Sequence, residues 1–97
     1  ISIGYKGVSS VIANGFSEPF HEMTHAALKG DFKAAYSIQF KFIEFDKLLY
    51  AESNPVGIKK VCAIRGLCEA LVRLPLVEAT PGLGKALESA MKKEGFL

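Results

Sequence analysis

Gly7-Val8-Ser9-Ser10-Val11-Ile12, followed by Asn14-Gly15, is the stretch whose reading decides the fold. Glycine opens it, its middle is rich in β-branched residues and a turn dipeptide closes it, which predicts a short strand from Gly7 to Ile12. No other part of the chain reads as a strand. A lone strand leaves its backbone N–H and C=O groups without a ladder partner. The segment is therefore expected either to pair outside itself, between subunits, or to abandon the strand form and join the helices. Either outcome gives a mainly α protein.

Working outward, the rest is helical. Ser17 is positioned to cap a helix ending at Gly30, with Pro19 tolerated in its first turn and Phe20, Met23 and Ala27 as its apolar stripe. Asp31 caps a long helix to about Ala51. On it Ala35, Ile38, Phe42, Phe45 and Leu49 form one apolar row, and Tyr36, Phe40, Ile43 and Tyr50 form a second beside it. A helix so apolar is normally covered on two sides. Asn54 and Pro55 read as the cap and first position of a helix running to Gly66. Leu71 to Leu76 is a connection, because Pro75 disfavours helix in the residue before it. Thr80-Pro81 repeats the cap-plus-proline signature for a final helix through Lys93, with Leu83, Leu87, Ala90 and Met91 inward, Glu88 and Lys92 paired outside, and Gly95 as its stop.

At 97 residues the chain suits one domain with one modest core. Its composition is 49% hydrophobic with a mean hydropathy of +0.23, more than so small a core can hide. Part of that surface is expected to lie against a partner subunit or against sequence outside the chain. The net charge of +2 comes without a run of either sign, which argues against a nucleic-acid or membrane-surface patch. With two cysteines and no secretory or long unbroken apolar stretch, the expected compartment is the reducing cytoplasm. The chain starts at Ile1 rather than Met, which suggests an origin inside something longer.

Four motifs in order carry a resemblance: Gly7-Val8-Ser9-Ser10-Val11 with Ala13-Asn14; Gly30-Asp31-Phe32; Glu52-Ser53-Asn54-Pro55-Val56-Gly57-Ile58-Lys59; and Arg73-Leu74-Pro75-Leu76. Each is weak alone; their order and spacing resemble the C-terminal part of the dihydrodipicolinate synthase (4-hydroxy-tetrahydrodipicolinate synthase) family, pyruvate-dependent lyases of the lysine pathway. N-acetylneuraminate lyases share the superfamily, but the Asn-Pro and Arg-Leu-Pro-Leu stretches are nearer the synthases. The resemblance implies a (β/α)₈ barrel followed by a helical C-terminal domain, of which this single-domain chain would be the four-helix C-terminal module. Residues 1–30 would match the last β/α unit, with Gly7 to Ile12 as its strand, and residues 31–97 the helical domain.

The resemblance also implies an absence. The family's Schiff-base lysine lies on the sixth strand and its proton-relay residues on earlier elements, all upstream of Ile1, so no catalytic residue and no cofactor is expected here. Barrel chemistry occurs at the C-terminal ends of strands, whereas Lys6 sits at the entry of the predicted strand and Lys59 matches a helical position. An amine nucleophile further needs a desolvated pocket. By resemblance, Ser9 stands where a backbone carbonyl borders the pyruvate site, with isoleucine usual there, and Asn54 matches the Asn-Pro asparagine. Gly57 replaces a frequent second proline, which implies a looser first helical turn.

The expectation is an N-terminally truncated synthase-like chain, inactive alone and self-associating as a dimer or larger homo-oligomer, with no nucleic-acid or membrane partner. The alternative is one piece of a split or clipped active synthase, its missing barrel on another polypeptide, condensing pyruvate with aspartate semialdehyde. A third reading is a zinc peptidase, because His21-Glu22-Met23-Thr24-His25 has H-E-x-x-H spacing. Such a site needs a third protein ligand, for which Glu44 and Glu52 are the candidates, whereas an outer barrel helix would leave both histidines on a free surface. Cys62 and Cys68 match neither a zinc knuckle nor a thioredoxin pair and are expected to be buried free thiols. Gly82-Leu83-Gly84-Lys85 lacks the spacing of a phosphate loop and reads as a helix start. The aromatic rows of the long helix fit packing against a neighbour better than a ligand groove.

Overall fold

In the computed structural model, which describes Ile1–Leu97, no residue lies in a β-strand. Residues 5–10 carry no regular structure, and the expected strand is replaced at its end by a helical turn, α1 (Ile12–Gly15). The reason is local. Ser10 Oγ accepts the Ile12 amide at 3.1 Å and the Asn14 side chain donates to the Val11 carbonyl at 3.2 Å, so these groups pair within a turn where the chain offers no ladder. Gly15 is then less a turn signal than a point of contact: a Cβ there would come within 2.7 Å of Val61 Cγ1.

The other four helices are α2 (Ser17–Leu28), α3 (Phe32–Tyr50), α4 (Val56–Ile64) and α5 (Pro81–Lys93). Asp31 Oδ1 accepts the Ala34 amide at 3.1 Å, and Thr80 Oγ1 accepts the Leu83 amide at 3.3 Å with Pro81 at the first position, so both of these caps form as read. Two others do not. Ser17 is already helical; the cap position of α2 is Phe16, with no side-chain bond. Asn54 likewise does not cap α4, which begins at Val56 with Pro55 in the cap position. The Val56 amide donates to the Ser53 carbonyl at 3.1 Å, and Ser53 holds a left-handed φ of 80°, so a tight turn satisfies the donor that Asn54 was expected to serve. Gly57 is not a looser turn: a Cβ there would lie 2.7 Å from Leu49 Cα, so its missing side chain is what lets α4 touch the α3 backbone.

The helices close on one core of Phe16, Phe42, Phe45, Leu49, Ile58, Val61, Cys62, Leu83, Leu87, Ala90 and Met91. Each large side chain removed from water contributes about 1.5–3 kcal/mol. Phe16 is central, 0% exposed, with ring centroids 5.7 Å from Phe42, 5.0 Å from Phe45 and 5.1 Å from Phe96. The first apolar row of α3 therefore points inward. Its second row does not: Tyr36 is 49% exposed, Phe40 62%, Ile43 51% and Tyr50 51%. Leu67, Leu71, Leu74 and Val77, on the connection between α4 and α5, are also exposed. No helix is long and apolar enough to cross a membrane.

Candidate functional site

Ser9 is exposed in the irregular N-terminal segment and Asn54 is exposed in the turn before α4. Neither lines any recess of the molecule, so the two positions assigned by resemblance do not meet in a site here. Three recesses have walls of substance. One, of about 290 Å³, lies between α2 and α3 beneath Ile1, Ser2 and Val8, with Met23, Thr24, Ala27, Phe32, Ala35, Tyr36 and Gln39 around it. Its lining includes no lysine, carboxylate or imidazole side chain.

The lysines lie elsewhere. Lys6 borders an open recess with Phe20, His21 and His25. Lys59 borders another with Pro55, Leu71 and Arg73. Lys6 is exposed and Lys59 half-buried, and neither is enclosed in an apolar pocket of the kind an amine nucleophile needs.

His21 and His25 share one exposed face of α2, their ring centroids 4.0 Å apart. The carboxylates proposed as third ligands are committed to other partners. Glu44 accepts from Lys93 Nζ at 2.8 Å, and this pairing raises the Lys93 pKa above its ordinary value. Glu52 Oε1 accepts the Thr80 amide at 3.0 Å and its second oxygen accepts the Thr80 hydroxyl, which hold its carboxyl below the usual range. No three metal-ligating side chains converge anywhere, so the peptidase motif lacks the ligand set its chemistry requires. The glycines at the start of α5 form no phosphate cradle either: Leu83 and Gly84 are buried, and a Cβ on Gly84 would meet Lys60 Cε at 2.9 Å.

Several polar contacts escaped the sequence reading because they join distant residues. Arg65 Nη1 donates to the Gly15 carbonyl at 2.6 Å and to Glu18 Oε2 at 3.2 Å, tying the end of α4 to the junction of α1 and α2. The Glu18 carboxyl is held below its ordinary range first by its own backbone amide and then by Arg65. Of the expected buried thiols, Cys62 is buried and Cys68 is exposed. Cys68 lies beyond the end of α4, in the connection that runs over the surface. The Cys62–Asn14 contact, Sγ to carbonyl at 3.5 Å, reinforces the same junction as Arg65.

Known proteins place this helical arrangement. A family model for the dihydrodipicolinate synthetase family matches residues 1–94. A 4-hydroxy-tetrahydrodipicolinate synthase of Cytophaga hutchinsonii is 41% identical over 93 residues, covering 96% of this chain and 31% of that protein. One of Sulfurovum is 43% identical over 94 residues, covering 96% of this chain and 32% of its own length. The crystal structure of the dihydrodipicolinate synthase of Aquifex aeolicus superposes with a TM-score of 0.85 at 37% identity, over 97% of this chain and 32% of that one. The chain thus has the all-helical architecture of the C-terminal part of a synthase barrel fold. It belongs to the dihydrodipicolinate synthetase family. It spans about a third of the length of the curated relatives it matches.

Proposed function

We propose that this chain is a synthase-type C-terminal helical module that performs no keto-acid chemistry alone and covers its surplus apolar surface by self-association. The exposed second row of α3 carries the reading. Tyr36, Phe40, Ile43 and Tyr50, interrupted by Lys47, leave large apolar side chains exposed on a helix whose other row is already buried, and exposed patches of this kind mark interaction surfaces. The placement of Lys6 and Lys59 outside any closed cavity supports the lack of chemistry.

A second reading is favoured by the match to only a third of each relative: the stripe is covered by a barrel carried on another stretch of polypeptide, and the assembly condenses pyruvate with aspartate semialdehyde. Native mass spectrometry of the purified chain separates the two, since the first requires homo-oligomers and the second a larger companion. Borohydride reduction in the presence of pyruvate is expected to leave the mass of this chain unchanged. A reduced pyruvate adduct on Lys6 or Lys59 of the isolated chain would overturn the non-catalytic reading.

A further inference from the structure

The end of α4 closes in a turn that the proposed function does not use. The Leu67 amide donates to the Cys62 carbonyl at 2.8 Å and the Gly66 amide to the Ala63 carbonyl at 3.0 Å, with Gly66 at a left-handed φ of 74°. This pair of bonds is the Schellman arrangement, which reverses the chain at Gly66 and hands it back along the helix. Cys68 follows directly on the bonded Leu67, so the turn returns it to the neighbourhood of Cys62. Burial pushes the Cys62 thiol above its ordinary range, and the Cys68 thiol beside it pushes the same way, against the opposing pull of Lys59 and Arg65.

Their exposures differ in a way that assigns roles. Cys68 is open to solvent and meets a dissolved reagent first, whereas Cys62 is buried with its Sγ turned to the Asn14 carbonyl. The geometry points to Cys62 and Cys68 as a reversible dithiol modification site, oxidised by a low-molecular-weight disulfide of the glutathione class to an intramolecular Cys62–Cys68 disulfide. In the first step the Cys68 thiolate attacks one sulfur of the oxidant, forming a mixed disulfide and releasing one thiolate. In the second, Cys62 gives its proton to solvent and attacks Cys68 Sγ, expelling the second thiolate. The protein loses two protons and two electrons, and the oxidant's S–S bond takes up the electrons. The turn makes the second step intramolecular over a short, already ordered loop, so little chain entropy remains to be lost. Lys59 and Arg65 offset only part of the burial that holds the Cys62 proton, so this second step is the slower of the two.

The test is equilibration of the full chain with reduced and oxidised glutathione, acid quenching, alkylation of free thiols and tryptic mapping. Cleavage after Lys60, Arg65 and Arg73 places the two cysteines on separate peptides, 61–65 and 66–73. The expected product is those two peptides joined by a disulfide, in a protein lighter by two hydrogens and reversible on addition of dithiothreitol. Cys62→Ala is expected instead to accumulate the Cys68–glutathione adduct, and Cys68→Ser to leave Cys62 reduced. Because Cys68 is exposed, that variant keeps its helicity by circular dichroism and serves as the control if Cys62→Ala fails to fold. A stable glutathione adduct on Cys68 of the unsubstituted chain without the linked peptides would overturn the inference. So would a disulfide found only between two chains, or modification of Cys62 that is undiminished in Cys68→Ser.

Discussion

Phe16 is a single residue on which much of the core converges. It stands just before α2, outside every helical stripe, and packs between Phe42, Phe45 and Phe96 with no exposed surface. Truncating it removes that ring and leaves a void, so Phe16→Ala is expected to lower unfolding free energy by about 3–5 kcal/mol in urea titrations followed by far-UV circular dichroism. Gly57→Ala fails for the opposite reason: its Cβ would meet the backbone of Leu49, which has little room to move. A loss of about 1–3 kcal/mol is expected in the same titration, and an unchanged midpoint would refute the close approach of α3 and α4. Caps show the limit of residue-by-residue reading. Asp31 and Thr80 cap as their types predict, because each precedes a helix with free amides. Ser17 and Asn54 have the right type and no amide to serve, since one has joined its helix and the other's donor is met by the Ser53 turn.

Periodicity was legible at the scale of elements, and pairing partners were not. The inward row of α3 and the inward set of α5 follow from helical spacing alone. Which neighbour covers a given row depends on where distant helices land, and the Gly7 to Ile12 segment became a coil and a turn because no strand came to meet it. If the outward row of α3 mediates self-association, Phe40→Glu with Ile43→Glu should raise the dissociation constant at least about tenfold by sedimentation velocity, since burying each of these side chains is worth about 1.5–3 kcal/mol. Oligomers that persist undiminished would move the interface elsewhere. Between elements, Glu52 links the start of α5 to the end of α3 through Thr80. Its folded-state pKa lies below the ordinary value of 4.5, so the stabilisation is fully present above about pH 4.5 and is lost as pH falls through the folded pKa. Acid titration of Glu52→Gln should therefore show a shallower loss of thermal stability below pH 4.5 than the unsubstituted chain, with Glu18 still contributing to what remains.

For the whole molecule, the candidate site residues were legible as types and spacings, and their surroundings were not. Lys6 and Lys59, the two lysines considered as substitutes for a catalytic amine, lie outside any closed apolar cavity. The histidine motif was legible as spacing, and its insufficiency became visible only when Glu44 and Glu52 were found bound to Lys93 and Thr80. Arg65 and Gly15, joined at 2.6 Å across 50 positions, gave no sequence signal, because a cation at a helix end reads the same whether it faces water or a carbonyl.

The order of helices, the inward faces of α3 and α5 and the family itself were determined by the sequence alone, because each rests on local spacing and local motifs that the backbone must obey wherever the chain goes. The conformation of the first fifteen residues, the central place of Phe16, the role of Gly57 and the exposure of Cys68 were decided only by the tertiary structure. Those outcomes depend on which surfaces meet across long stretches of chain, and such meetings are settled by packing and by the need to pair every buried backbone group.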